Sequence, residues 1–253
     1  MNFDLSKVEL SKNDVRRGIT LPILLSKELA EFIGIVIGDG HLSVSTGKQK
    51  SGAPLIRSDL IIACNLFEQQ YIRYIREQFH LLFNIQLSYE PDKRSSTVLL
   101  RAHSKGIVQF LNKICEMPLN RKSDIVCVPK IILNSDHNIK HAFLRGLADT
   151  DFSIIFRHRQ GKGYIYPSIR GGFKSKLLVQ HLELLFKEEG HRYCTCYNLI
   201  KTDKRFGPTA INYIYLNGNV NLRKWVSEIG FSNSKFQRKI EKWQKDRICP
   251  PGF

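Results

Sequence analysis

The sequence predicts an α+β protein built from two pseudo-symmetric halves, each with the element order αββαββα. Two observations carry this prediction: a nine-residue pattern occurs twice at a spacing of 112 residues, and the same order of helix and strand patterns follows each copy. A third observation concerns function. Lys and Arg outnumber Asp and Glu by 39 to 23, a formal net charge of +16, which is typical of proteins that bind polyanions.

The repeated pattern spans residues 32–40 and 144–152, and its copies belong to helical runs at 26–37 and 139–148. Glycine within a helix costs roughly 1 kcal/mol relative to alanine, so a close contact between backbones is expected to offset it. The two helices are therefore predicted to pack on each other through small residues that share one helical face. These residues are Gly34 and Gly38 in the first copy, and Gly146 and Thr150 in the second.

Each copy also carries an acid at its end, Asp39 in the first and Asp151 in the second. Packing of the two helices would bring these acids side by side at neighbouring helix C-termini, where mutual repulsion and both macrodipoles disfavour them. A hard divalent cation reverses both effects. The alternative is a turn residue and an unrelated surface charge, but two copies in register favour a metal site.

The two motifs resemble the signature motifs of the LAGLIDADG homing endonucleases in their single-chain form, in which two pseudo-symmetric halves are fused. The resemblance covers residues 14–243, and one position departs from the family pattern, which usually has Gly where this chain has Phe152. We hypothesise that the chain turns there directly from helix into strand, without a left-handed residue. Matching residues around the motifs are Leu29-Ala30-Glu31, His41-Leu42, Phe143-Leu144-Arg145-Gly146-Leu147 and Asp149-Thr150-Asp151.

The resemblance implies a saddle-shaped antiparallel sheet with helices behind it, and a site-specific double-strand DNA endonuclease that uses Mg²⁺ or Mn²⁺. The implied metal group comprises Asp39 and Asp151 with the residues before them, Gly38 and Thr150. The family places water-positioning groups where the second strand of each half ends, which is the place of Asn65 and Lys174. Asn65 equally suits a helix N-cap and Lys174 a local surface ion pair, and these alternatives stay open.

The first half is predicted to contain four strands and two helices after its motif helix. Apolar residues at helical spacing, such as Phe67, Tyr71 and Ile75, mark the first of these helices, and glycine and proline mark the turns. An extended N-terminal arm, residues 1–25, precedes the first half, which comprises residues 26–117. The predicted strands are 41–46, 59–64, 85–89 and 97–101, and the predicted helices are 66–79 and 105–117.

Residues 118–138 are predicted to form a linker with a short helix, and residues 139–230 the second half. Residues 231–253 add a C-terminal helix with Phe236, Ile240 and Trp243 on one face, followed by a tail. In the second half the predicted strands are 153–157, 164–173, 193–200 and 211–216, and the predicted helices are 175–189 and 219–229.

Polar side chains at alternate positions of these strands predict an open sheet face that can enter the major groove of DNA. A solvated strand face is the simpler interpretation for each residue alone, but the set as a whole favours DNA. The expected contacts are Lys48, Lys50, Arg57, Lys93, Arg94, Arg157, Arg159, Lys162 and Arg170. With the resemblance, they imply a monomer with an internal pseudo-dimer that binds a long, imperfectly palindromic double-stranded site.

Two alternatives remain on the same scaffold: an intron-encoded maturase that binds intron RNA, and a catalytically inactive DNA-binding regulator. Both acids are present, which argues against the regulator. An intein is disfavoured, because Met1 is not a splicing nucleophile and the chain lacks a terminal His-Asn. No apolar run reaches membrane-span length, so we expect a soluble intracellular protein, cytoplasmic or organellar. None of the six cysteines forms a Cys-x-x-Cys pair, which favours structural thiols over a zinc site.

Overall fold

The computed structural model describes residues 2–48, 52, 54–160, 163–203 and 207–249 of the chain. Across these residues the protein forms two four-stranded antiparallel sheets with helices packed on them, which confirms the predicted α+β class. None of the helices in these ranges is long and apolar enough to cross a membrane. Two predicted DNA contacts, Lys50 and Lys162, lie outside the described residues, as does the side chain of Arg159.

The first sheet has the strand order β1-β2-β4-β3, and each neighbouring pair is antiparallel. Its half contains the motif helix α2, after which the chain alternates two strands and a helix as the sequence predicts. The elements are a 3₁₀ turn (Leu5–Lys7), α1 (Lys12–Arg16), α2 (Lys27–Gly38), β1 (Gly40–Lys48), β2 (Pro54–Asn65), α3 (Gln69–Phe83), β3 (Ser88–Pro91), β4 (Thr97–His103) and α4 (Lys105–Lys113).

The second sheet repeats this topology with the order β5-β6-β8-β7, so the predicted duplication is present at the level of the fold. A short helix lies in the linker, and a further helix follows the second half, both as predicted. The elements are α5 (Lys130–Leu133), α6 (His137–Asp151), β5 (Phe152–Arg159), β6 (Gly163–Phe173), α7 (Lys176–Glu188), β7 (Tyr193–Asp203), β8 (Gly207–Asn217), α8 (Gly218–Glu228) and α9 (Ser234–Asp246).

The N-terminal arm is not extended throughout, because it contains helix α1. Ser11 and Asp14 cap each other's backbone N–H groups, a reciprocal arrangement that starts a helix. Asp14 is buried and also accepts the backbone N–H of Gly106 at 3.1 Å, which ties α1 to the start of α4. The prediction of an extended arm was wrong over these residues, since the Ser-x-x-Asp spacing was not recognised as a helix start.

Two other boundaries differ from the predicted ones because local turn chemistry decides them. The side chain of Asn65 accepts the backbone N–H of Phe67 at 3.0 Å, and the resulting turn delays α3 to Gln69. Helix α3 then continues to Phe83 and ends at Asn84, whose φ of 57° is left-handed. Strand β3 therefore begins at Ser88 and not at residue 85.

Alternation along β2 separates the two faces of the first sheet. Leu60 and Ile62 are fully buried against the helices, while Arg57 on the opposite face is exposed. The same period appears in β6, where Ile169 and Phe173 are buried. Each half thus has an apolar face covered by helices and an open face available to a partner.

Candidate metal centre

The two motif helices, α2 and α6, pack through the predicted small residues. A side chain on Gly146 would overlap the carbonyl oxygen of Glu31, and one on Gly34 would lie 2.7 Å from the backbone nitrogen of Leu147 and overlap the carbonyl of Phe143. Real Cβ atoms do not approach backbone so closely, so glycine is required at both places. The prediction that the glycine ridges face each other is confirmed.

At the C-terminal ends of these helices, Gly38 faces Thr150. A side chain on Gly38 would overlap the Thr150 hydroxyl, which donates to the carbonyl of Leu147 at 2.9 Å. The carboxylate of Asp151 lies 3.4 Å from the same position, and Asp39 caps the C-terminus of α2. The four residues of the predicted metal group therefore meet at one point between the halves.

Electrostatics at this point are those of two acids held close together. Burial raises the pKa of Asp151 to about 7, where the charge of Asp39 adds to the rise and Lys122 opposes it. Burial also raises the pKa of Asp39, while Lys122 and Lys235 oppose the rise and Glu68 adds to it. Protein atoms surround both carboxylates, yet Asp39 keeps an exposed surface and Asp151 is half-buried. They line the floor of an open concavity that a cation can enter.

Lys122 is a site residue that the sequence analysis missed. Its ammonium donates to three carbonyls at the end of α2, those of Val36 at 2.9 Å, Ile37 at 2.7 Å and Gly38 at 2.6 Å. Burial lowers the pKa of Lys122 to about 8, against the opposing effect of Asp151 and Asp39. The linker thus contributes a cation to the helix C-terminus beside the two acids.

Lys235 is the second residue that the sequence analysis missed, and it occupies the matching place in the other half. Lys122 follows Asp39 by 83 residues and Lys235 follows Asp151 by 84, and this near-equal spacing is the signal that could have revealed both lysines. Lys235 lies near Asp39, whose pKa it lowers, and its ammonium contacts the carboxylate of Glu68 at 3.2 Å.

The two predicted water-positioning residues lie on exposed surface where their strands end. The side chain of Asn65 accepts from the backbone of Phe67, the turn role that competed with the catalytic one. Lys174 has an exposed side chain, and its carbonyl accepts from the amide of Asn212 at 2.9 Å. The water-positioning roles of these residues stay predictions.

Phe152 begins β5 in an extended conformation, with φ −99° and ψ 161°. The chain therefore turns from helix into strand without a left-handed residue, as hypothesised. Phe152 is buried, and its ring lies 5.8 Å from that of Phe173 and 6.0 Å from that of Trp225. The first half has Gly40 for another reason: a side chain there would lie 2.6 Å from atoms of Val36.

On the open face of the second sheet, cations lie over tyrosine rings. Arg157 is 5.6 Å from the ring of Tyr215, and Arg170 is 5.7 Å from that of Tyr213. Lys201 also lies over Tyr213, at 5.1 Å. These rings support the cations on the surface where DNA contacts were predicted.

The first sheet differs, because acids accompany some of its cations. Arg101 lies 3.4 Å from Glu90, and His103 contacts Asp59. Four predicted DNA contacts of this half have exposed side chains: Lys48, Arg57, Lys93 and Arg94.

Oxygen ligands, and not thiols, fit this centre. All six cysteines are free, and within the described ranges no cluster of three or more His, Cys, Asp or Glu is arranged to hold a metal ion. Two carboxylates beside helix-end carbonyls suit a hard cation that takes its remaining ligands from water or from a substrate. Cys194 and Cys196 are exposed on one face of β7, which confirms their predicted common face but does not fit the expectation of structural thiols.

Comparisons with known proteins begin with sequence. No family model matches the chain. A stretch of 127 residues, 50% of the chain, is 29% identical to part of the A-type ATP synthase of Pyrococcus abyssi, and 229 residues, 87% of the chain, are 25% identical to the replication factor C small subunit of Methanocaldococcus jannaschii. The chain spans only about a tenth of these relatives, 11% and 10% of their lengths.

Solved structures resemble the chain over most of its length. Variants of the homing endonuclease I-DmoI match with a TM-score of 0.51 at 18% identity, over 81% of this chain and 96% of theirs. The I-LtrWI LAGLIDADG homing endonuclease matches with a TM-score of 0.55 at 12% identity, over 88% of this chain and 90% of its own. A mutant of I-SmaMI gives a TM-score of 0.57 at 15% identity, with coverages of 88% and 90%. At such identities the likeness establishes a common fold.

Proposed function

We propose that this chain, which has the fold of the single-chain LAGLIDADG homing endonucleases, is a site-specific double-strand DNA endonuclease dependent on Mg²⁺ or Mn²⁺. One observation carries the proposal: Asp39 and Asp151 meet at the ends of two helices that pack backbone to backbone. This arrangement costs stability, because each carboxylate raises the free energy of the other's charged form. A catalytic use of the pair accounts for that cost.

The neighbours in fold support the choice of substrate and metal. The I-LtrWI structure is bound to target DNA, and one I-DmoI variant is in complex with its target DNA in the presence of Mg. The RNA-binding alternative receives no support from these neighbours. The net charge of +16 and the cations on the open sheet faces fit a DNA partner.

In the proposed mechanism, Asp39 and Asp151 hold the divalent ion, with the helix-end residues Gly38 and Thr150 shaping the site. When bound, such an ion activates a water and stabilises charge on the scissile phosphate. Lys122 keeps its proton at neutral pH, since its pKa of about 8 lies above 7. Its ammonium stabilises charge that develops beside the acids, and Lys235 does the same next to Asp39.

Binding and positioning fall to the two open faces. Arg157 and Arg170 rest on tyrosine rings and contact DNA from the second sheet, while Arg57 contacts it from the first. The exposed basic turns hold phosphates on either side of these strands. Since one chain supplies both acids and both sheets, we propose that it acts as a monomer on a long, imperfectly palindromic site. The intron-encoded origin and the roles of Asn65 and Lys174 remain predictions.

The test is incubation with a randomised library of double-stranded DNA and Mg²⁺ or Mn²⁺, followed by sequencing of all new ends. We expect paired ends at one sequence, with a constant offset between the two strands. Selective retention of one sequence without new ends, in either metal, would instead identify a DNA-binding regulator and refute the endonuclease.

A further inference from the structure

The two site lysines occupy matching places but have different partners. Lys122 donates to the carbonyls of Val36, Ile37 and Gly38. Lys235 instead contacts both carboxylate oxygens of Glu68, at 3.2 and 3.4 Å. Glu68 is the residue before α3, so it belongs to the first half, whereas Lys235 belongs to the segment that follows the second half.

Glu68 is itself held at a defined place by Asn233. The amide of Asn233 donates to the Glu68 carboxylate at 2.5 Å, and Asn233 is 1% exposed. Asn233 caps α9, because its side-chain oxygen accepts the backbone N–H of Lys235 at 3.1 Å. The same residue therefore grips both the acid and the start of the helix that carries the lysine.

The other side of this helix start is fixed by the second motif helix. The carboxylate of Asp149 accepts the backbone N–H of Ser232 at 2.9 Å and that of Asn233 at 3.1 Å, and Asp149 is buried. The backbone of Lys235 is thus fixed from α6, and its side chain is fixed from Glu68. A lysine without such a partner loses rotamer freedom worth up to about 2 kcal/mol when it is placed for a reaction.

We propose that Glu68 is a positioning residue that holds the ammonium of Lys235 beside Asp39 for cleavage of one DNA strand, while Lys122 serves the other strand without such a partner. The inference rests on the proposed endonuclease function and adds to it an inequality between the two half-reactions. Lys122 lies near both acids, but Lys235 acts on Asp39. Loss of Glu68 therefore affects the two strands differently.

The experiment measures the cleavage rate of each strand separately, on a cognate duplex labelled at both 5′ ends, for the wild type, Glu68→Gln, Lys235→Met and the double variant. Misplacement of a reacting group by about 1 Å costs on the order of 100-fold in rate. We expect Glu68→Gln and Lys235→Met to slow the same strand by roughly 10- to 100-fold, so that singly nicked DNA accumulates. The double variant should match Lys235→Met, because Glu68 acts only through Lys235.

The control is Glu228→Gln, which breaks a Lys–Glu contact of 2.7 Å with Lys224 on α8, away from both acids. It should leave both strand rates unchanged, and thermal unfolding of every variant checks that the fold is kept. Equal slowing of both strands, or a further loss when Glu68→Gln is added to Lys235→Met, would overturn the positioning role. A wild type that cuts neither strand refutes the proposed function itself, and this inference falls with it.

Discussion

Replacement of Asp39 or Asp151 by Asn is the perturbation that separates a metal-dependent nuclease from a DNA-binding protein. Asn keeps the size of the side chain and removes its charge. Two unit charges 4 Å apart attract by about 4 kcal/mol at an effective dielectric constant of about 20, and a divalent ion doubles this figure. Protein atoms surround both carboxylates, so the lower dielectric is the appropriate one. Desolvation offsets part of the attraction, and we take about 4 kcal/mol as lost.

A loss of that size corresponds to about 10³-fold in the cleavage rate for either single change. The double change should add little, because residues that hold one centre fail as a unit. DNA binding should survive or tighten, since the sheets and basic turns remain and negative charge near the phosphates is gone. Cleavage is followed on a supercoiled plasmid that carries the target, and binding is measured without metal at the same salt concentration.

A matched control is Asp246→Asn, which removes an exposed acid that contacts Lys242 at the end of α9. This variant should cut like the wild type. If Asp39→Asn and Asp151→Asn also cut a cognate duplex at the wild-type rate, the two acids have no part in the chemistry and the reasoning fails at its centre.

Four further predictions test the binding faces and the packing. The logarithm of DNA affinity should fall with log salt at a slope near −5 if about six phosphates are contacted, and a slope near zero would show that the basic turns do not hold the backbone. Phe152→Gly should lower the free energy of unfolding by about 3–5 kcal/mol, since it empties an aromatic core site, without raising cleavage; a gain in cleavage of several orders of magnitude would mean that Phe152 impairs the native site. Cognate DNA should protect the exposed thiols Cys194 and Cys196 from alkylation, and equal labelling with and without DNA, read by mass spectrometry, would exclude β7 from the interface. Burial alone raises the pKa of Glu189, but hydrogen bonds from His137 and His141 outweigh it and the pKa lies below its ordinary value; the group therefore stabilises the fold above its unfolded pKa, and Glu189→Gln should be destabilising at neutral pH with a difference that shrinks as the pH falls through about 4. A difference in denaturant midpoint that stays constant with pH would contradict this.

The sequence contained enough information for the pairing of the halves, because that pairing depends on a local period. Gly34 and Gly38 are four residues apart, as are Gly146 and Thr150, and this spacing alone places each pair on one helical face. The acids at the ends of the helices follow from the same geometry. For these residues, the folded arrangement is an extension of helical periodicity.

The lysines could not be predicted in this way, because their positions depend on tertiary structure. Lys122 is 83 residues from Asp39, and nothing in the basic run Asn120-Arg121-Lys122 distinguishes a site residue from a solvated linker. The contact between Lys235 and Glu68 joins segments 167 residues apart. Helix α1 was missed for a different reason: five residues carry too short a pattern, and the cap of Ser11 and Asp14 is the only local signal.

The contact between Gly38 and Thr150 makes the two halves unequal partners. The threonine side chain fills the space that the absent glycine side chain leaves, so the motif helices fit as a knob and its socket. Two copies of the first half would face each other across a gap at this point, and two copies of the second would bring two threonines into a space that holds one. Expressed as separate polypeptides, the halves should therefore select each other over themselves. The duplication that created this chain has become irreversible at one contact, since neither half retains a surface complementary to its own.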